Sequence, residues 1–113
     1  MLYMAMIFAL SSMPDPPDVP SVVGDKIGHA ALYFGLAALF ARAFAGGWLR
    51  RLTVKAAVAA VVCSTLYGVS DEMHQMLVPP RSVEFYDVLA DAAGSSAAAA
   101  LMYTGARVRS RRA

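Results

Sequence analysis

Polar residues capable of acid–base or metal chemistry occur in three short stretches of this sequence. The stretches are Asp25, Lys26 and His29; residues 67–75; and residues 81–91. Each stands at the edge of a hydrophobic segment. Ionisable groups are costly to keep at the end of a membrane helix, and they usually belong to a functional site with a partner nearby. We therefore expect the three stretches to meet in space and form one site.

The composition indicates a membrane protein. The chain has 113 residues, of which 58% are hydrophobic and 16% are charged, whereas soluble domains have about 25% charged residues. This length allows one domain, residues 1–113. The net charge of +2 is too small to indicate a nucleic-acid partner. The single cysteine, Cys63, excludes an intramolecular disulfide.

Four apolar segments predict the fold class. They cover residues 1–13, 27–45, 52–69 and 85–104. A spanning helix needs roughly 17–25 residues, so the last three segments are long enough to cross a membrane. The first predicts a short or trimmed transmembrane helix, with a signal peptide as the alternative. The chain is thus predicted to be all-α, a small bundle of about four transmembrane helices, with assembly into a homo-oligomer left open.

The basic residues predict the orientation of the bundle. They cluster in the loop after the second segment and in the tail, at Arg50, Arg51, Lys55, Arg107, Arg109, Arg111 and Arg112. Short loops rich in Lys and Arg stay in the cytoplasm. Both termini are therefore expected to be cytoplasmic, and the three polar stretches are expected on the outer side.

Helical spacing predicts which polar side chains share a face. Residues three or four positions apart are neighbours on a helix surface. Three polar faces follow from this rule: Asp25, His29 and Tyr33; Tyr67, Asp71 and Gln75, with His74 beside them; and Asp87, Asp91 and Ser95. The small residues 94–100 provide a face on which another helix can pack closely.

This series of motifs resembles that of the VanZ-like membrane proteins, a family named after a factor associated with resistance to the glycopeptide teicoplanin. The motifs that carry the resemblance are Asp25-Lys26-x-x-His29, Tyr67-Gly68-x-x-Asp71-Glu72-x-His74-Gln75, Arg81-Ser82 and Asp87-x-x-x-Asp91-x-x-Gly94. The resemblance implies a multi-pass protein of the bacterial inner (cytoplasmic) membrane with a role in the cell envelope. Two positions depart from the family pattern. Pro80 stands where glycine is common, and Asp91 stands where asparagine is common.

One hypothesis is an enzyme that acts at the outer leaflet on a membrane lipid or a lipid-linked envelope precursor. His74 would be the general acid or base and Asp71 would orient its ring. His29, Asp87 and Asp91 complete the expected catalytic set. Arg81 and Lys26 would hold an anionic group such as phosphate. The residues expected to contact substrate are Arg81, Lys26, Asp25, Gln75, Tyr67 and Glu72.

Two alternatives remain at this stage. Asp71 and His74 have the spacing of metal ligands on one helical face, and His29, Asp87 or Asp91 could complete such a set; no metal ligand is assigned, and the cofactor is unknown. The other alternative is a non-enzymatic module that binds a headgroup, acts as a scaffold, relays protons or transports a solute. Turnover of a bound substrate would distinguish an enzyme from this module.

The predicted orientation can be tested with single cysteines in a Cys63→Ala background. Asp18→Cys and Glu84→Cys are expected to react with an impermeant thiol reagent added to intact cells, and Ser110→Cys is expected to react only after the cells are opened. The reverse labelling pattern would place the polar site on the cytoplasmic side and exclude an outer-leaflet substrate.

Overall fold

Four α-helices make up this protein. A computed structural model describes residues 1–14, 22–80 and 82–112. The helices are α1 (Leu2–Ser11), α2 (Val22–Ala45), α3 (Val54–Gln75) and α4 (Phe85–Arg112), and the described ranges contain no strand. The predicted all-α fold is confirmed.

α2, α3 and α4 are longer than the apolar segments that predicted them, whereas α1 is shorter than residues 1–13. α2 begins at Val22 and so includes Asp25 and Lys26, while α3 continues to Gln75 and α4 to Arg112. A search for apolar segments misses these turns because they contain polar residues. Such residues can still be favourable in a helix, as Asp25 is in the first turn of α2, where its negative charge fits the helix dipole. The first two polar stretches therefore lie within helices, while the third includes residues 82–84, which precede α4.

Two of the helices have the length and apolar composition needed to cross a membrane, over Gly24–Ala45 and Val54–Gln75. α1 has 10 residues and is too short to cross alone. α4 packs against both α2 and α3, but half of its apolar residues are alanine, which lowers its hydropathy.

Large side chains on α3 face outward, and small ones face inward. The exposed stripe consists of Val58, Val62, Leu66, Val69 and Met73, and the buried face carries Ala56, Ala60, Ser64 and Gly68. A soluble helix has the opposite arrangement. Small residues inside allow backbones to approach closely, which is how helices associate in a lipid bilayer.

α2 and α4 lie side by side in parallel, and α3 runs antiparallel to both. The row of contacts from Lys26–Asp87 through His29–Asp91 to Tyr33–Ser95 has nearly constant sequence separations of 61, 62 and 62. At Gly94 the backbones touch, because a Cβ added there would overlap the carbonyl oxygen of Ala30. Polar and backbone contacts therefore set one register for this helix pair.

We expect Gly94→Ala to weaken the bundle and Gly105→Ala to leave it intact or slightly stabilise it. A Cβ at Gly94 would force α2 and α4 apart, and such overpacking costs about 1–3 kcal/mol. A Cβ at Gly105 meets no atom within 4 Å among the described residues, and alanine favours a helix over glycine by about 1 kcal/mol. Thermal unfolding in detergent measures both changes. Equal midpoints for the two variants would contradict the close approach at Gly94.

Candidate functional site

Three helices bring their polar turns together at one end of the bundle. α2 and α4 begin there and α3 ends there, so the first turns of two helices meet the last turns of the third. The residues that line this end are Asp25, Lys26, His29, Asp71, Glu72, Gln75, Glu84, Asp87 and Asp91. The sequence placed these residues in three stretches, and the fold assembles them as one cluster.

His29 lies between two aspartates of α4. Its Nδ1 is 3.0 Å from Asp91 Oδ1, and its Nε2 is 3.7 Å from Asp87 Oδ2. The two carboxylates are almost fully buried, with exposed fractions of 1% for Asp91 and 5% for Asp87. A carboxylate on one imidazole nitrogen fixes the ring orientation and tautomer. The geometry thus suits an Asp–His pair that exchanges a proton at Nε2.

Lys26 neutralises the carboxylates around it. Its ammonium contacts Asp87 Oδ1, donates to Glu84 Oε2 at 2.5 Å, and lies 3.5 Å from Asp25 Oδ2. The ion pair with Asp87 is the strongest of the three, because the Asp87 side chain is buried whereas that of Glu84 is half exposed. Lys26 therefore serves first as an internal counterion and joins the start of α2 to the start of α4.

The hydrogen bond from Lys26 lowers the pKa of Glu84 below its ordinary value. A carboxyl group whose pKa is lower in the folded protein than in the unfolded chain stabilises the fold at pH values above the unfolded pKa. This contribution is lost as the pH falls through the folded pKa. The Glu84 side chain is 50% exposed, so solvent screens the pair and its contribution to stability is small.

Glu72 links the end of α3 to the start of α4. Its Oε2 accepts a hydrogen bond from the backbone N–H of Glu84 at 3.2 Å, and only 3% of the residue is exposed. Its Oε1 has no hydrogen-bond partner among the described residues. Glu72 is also within electrostatic reach of His29 and Asp87. It is therefore a buried member of the cluster.

His74 contacts α1. Its Nε2 lies 2.9 Å from Ser12 Oγ, and its ring stacks on Phe8 with centroids 4.5 Å apart. Tyr67 makes a second link of this kind, because its hydroxyl donates to the backbone oxygen of Met4 at 2.8 Å. These two predicted site residues hold α1 against α3.

Asp71 contacts Gln75 through a 3.4 Å hydrogen bond from the amide nitrogen to Oδ2. Its Oδ1 is buried and has no hydrogen-bond partner in the described part of the chain. It is within electrostatic reach of Asp91 and Tyr33. In its described contacts Asp71 faces the interior of the bundle, whereas His74 faces α1.

Polar groups continue below the cluster into the bundle. Ser95 Oγ lies 2.8 Å from Ser64 Oγ, and both hydroxyls lie 3.4 Å from the backbone oxygen of Tyr33. At Gly68, an added Cβ would come within 2.5 Å of Asp91 Oδ2. Gly68 therefore leaves the space that Asp91 occupies. Sequence reasoning missed this role for Gly68 and the role of Ser64, although the small residues at 60, 64 and 68 recur every four positions.

Asp25, His29 and Asp87 offer ligand atoms that all lie within 4.8 Å of one another. Two carboxylates and an imidazole suit several divalent metals. The Lys26 ammonium, however, already contacts both of these carboxylates, and a metal ion between them would be next to a positive charge. Neutralisation of the two carboxylates by Lys26 therefore fits these residues better than a bound metal ion does.

A family model described as VanZ/LLP1 matches residues 2–106 of the chain. The chain belongs to the VanZ/LLP1 family. No curated protein and no solved structure gives a significant match. The match covers all three polar stretches of this VanZ/LLP1 protein. Together with the two helices able to cross a membrane, membership indicates a membrane protein.

One residue of the expected site, Arg81, lies outside the described residues of this VanZ/LLP1 protein. Its neighbours are described: the Pro79–Pro80 peptide bond is cis, and Pro80 and Ser82 are exposed. The anion-binding role of Arg81 stays a prediction from the sequence.

Replacing Lys26 with methionine is expected to destabilise this VanZ/LLP1 protein strongly. The change leaves Asp87, whose side chain is 7% exposed, without its ammonium partner, and breaking a buried ion pair from one side costs roughly 3–5 kcal/mol. Lys55→Met is the matched control, because Lys55 is exposed and surface substitutions change stability by less than about 0.5 kcal/mol. Thermal unfolding in detergent compares the two. A Lys26→Met midpoint equal to that of the control would show that Asp87 does not depend on Lys26.

Proposed function

We propose that the polar end of this protein binds an anionic substrate, either lipid-linked or part of the cell envelope, and performs acid–base chemistry on it through His29. The observation that carries the proposal is the 3.0 Å contact between His29 Nδ1 and the buried Asp91. It supplies a base together with the group that orients it, which is the minimum arrangement for general acid–base catalysis.

The contacts of the two histidines favour His29 over His74 for this role. His29 has one nitrogen on a buried carboxylate and the other toward Asp87. The Nε2 of His74 is instead engaged with the hydroxyl of Ser12, and its ring is covered on one side by Phe8. We therefore assign proton transfer to His29 and the orienting role to Asp91, and we place His74 and Asp71 at the periphery of the same site.

An anionic group needs positive charge, and carboxylates surround His29. Arg81 is the main anion contact in this proposal, since the sequence places it on the segment that leads into α4, and its planar fork binds phosphate or carboxylate through two hydrogen bonds. Lys26 is the second contact. Its partner Glu84 is half exposed, so a substrate oxygen can replace Glu84 while the bond to buried Asp87 remains.

A lipid-linked substrate fits the apolar surface around the polar end. Large hydrophobic side chains are exposed near the cluster on all three helices and in the turn after α3: Ile27, Met73, Met76, Leu77, Phe85 and Tyr86. An acyl or polyprenyl chain could lie on these residues while its polar head reaches His29. With the orientation expected from the basic loops, this end faces the outer leaflet of the bacterial inner membrane. Family membership supports a relation of such an activity to glycopeptide resistance; its place in the cell envelope is part of this proposal.

Proton relay across the membrane is the less well supported alternative. The polar row ends at Ser64 and Ser95, and the buried residues beyond it in the described bundle include Ala41, Ala60 and Ala98. A relay needs polar groups or water along its whole path. Binding of a headgroup without turnover is the alternative that the following experiment tests directly.

We expect the wild-type protein in lipid nanodiscs to convert an added lipid-linked cell-wall precursor, detected by mass spectrometry of the extracted lipids. His29→Gln should lower the rate by roughly 10²–10⁴-fold, the usual contribution of a general acid or base, and Asp91→Ala should lower it too, because it removes the group that orients the ring. His74→Gln is the matched control and should retain most of the rate, because its described contacts are with α1. Thermal midpoints of all variants exclude loss of fold as the cause.

Two results would contradict parts of this proposal. Loss of turnover in His74→Gln with retention in His29→Gln would return the acid–base role to the His74–Asp71 pair. Saturable binding of the precursor by the wild type, with no change in its mass over many hours, would support the non-enzymatic module.

A further inference from the structure

Charge is strongly segregated along this chain. Residues 27–70 and 92–113 contain no Asp or Glu, and the 8 acidic residues lie elsewhere in the chain. Every Lys and Arg except Lys26 and Arg81 lies within those two stretches. The end of the bundle opposite the polar cluster therefore carries arginines for which those stretches supply no acidic side chain.

A cleft of about 380 Å³ lies at this basic end, between the start of α3 and the last turns of α4. Its polar lining consists of Arg51, Thr53, Arg107, Ser110 and Arg111. Three guanidinium groups and two hydroxyls thus face one cleft, and none of the described residues that line it is acidic. Arginine forks and hydroxyls are the groups that bind phosphate oxygens in proteins.

Local contacts hold this lining in place. Arg107 lies over the ring of Tyr103, with 4.9 Å between the guanidinium carbon and the ring centroid. Arg107 and Arg111 are one helical turn apart and so share a face of α4. Thr53 caps α3 by accepting a hydrogen bond from the amide of Ala56 at 3.1 Å. The positive end of the α3 dipole is therefore at the cleft and adds to the field of the arginines.

We propose that this cleft binds the phosphate group of an anionic membrane phospholipid. The rest of its lining is apolar, made of Leu52, Val54, Tyr103 and Ala106, and Val54 is exposed at its edge. A free phosphate ion would use only the arginines and hydroxyls. A phospholipid uses both parts, with its phosphate on the arginines and the first methylenes of its chains on the apolar wall.

This lipid site is separate from the polar cluster and does not rest on the proposed catalytic function. The cluster is formed by the first turns of α2 and α4 and the last turns of α3, whereas the cleft is formed by the first turn of α3 and the last turns of α4. With the orientation expected from the basic residues, the lipid belongs to the cytoplasmic leaflet.

Native mass spectrometry of the full chain in detergent tests the site with three probes: phosphatidylglycerol, phosphatidylcholine and glycerol phosphate. We expect phosphatidylglycerol to bind most tightly. The double variant Arg107→Gln/Arg111→Gln should weaken that binding by about tenfold or more, because it removes two charge-assisted contacts to the phosphate. The variant Arg109→Gln/Arg112→Gln removes the same charge from the same helix end but from a different cleft, and it should bind nearly as the wild type does.

Three results would overturn the proposal. An equal loss of phosphatidylglycerol affinity in the two double variants would mean that binding depends on the overall positive charge of this helix end and not on the cleft. Phosphatidylcholine binding as tightly as phosphatidylglycerol would remove the anionic requirement. Displacement of the lipid by an equal concentration of glycerol phosphate would make the cleft a site for a soluble phosphate. Circular dichroism of both variants checks that α4 stays helical, and the substituted side chains are exposed at its end.

Discussion

The register between α2 and α4 is the constraint on which the rest of this structure depends. Lys26 meets Asp87, His29 meets Asp91, and the backbone of Tyr33 meets Ser95, with sequence separations of 61, 62 and 62. A slip of one residue rotates a helix by about 100°, which would turn these partners away from one another. The same slip would leave the carboxylates of Asp87 and Asp91 buried and unpaired, and a buried unpaired charge is one of the most costly errors a fold can contain.

Glycine makes this register sterically possible. Gly94 allows the α4 backbone to touch the carbonyl of Ala30, and Gly68 leaves room on α3 for the carboxylate of Asp91. Helices in a bilayer gain little from burying large apolar side chains, because the lipid is equally apolar, so close backbone packing and interhelical hydrogen bonds have to hold them together. The large side chains of α3 accordingly face outward, and the buried polar contacts contribute both to stability and to specificity of the pairing.

The sequence was sufficient to predict that three polar stretches meet, because ionisable residues at the ends of adjacent helices have no other place to find partners. It was not sufficient to predict the pairing. His29 and His74 both lie in polar turns at the same end of the bundle. The rotation of each helix about its axis decides that His29 meets Asp91 while His74 meets Ser12 and Phe8. That rotation follows from the contacts at Gly68 and Gly94, which periodicity within a single segment does not reveal.

α4 connects the two ends of the molecule, and this explains its composition. Its first turns carry the aspartates that hold His29 and Lys26, its middle supplies the small face that packs on α2, and its last turns carry the arginines of the basic cleft. A helix that carries these three groups of residues cannot be uniformly apolar. For this reason α4 falls below the hydropathy expected of a membrane-spanning segment, although it is the longest helix described. Because α4 is continuous from Phe85 to Arg112, a lipid bound at the arginines, in the cleft between α3 and α4, would oppose sliding or tilting of α4 relative to α3. The position of Asp91 against Gly68 of α3 would then be supported from both ends of the same helix.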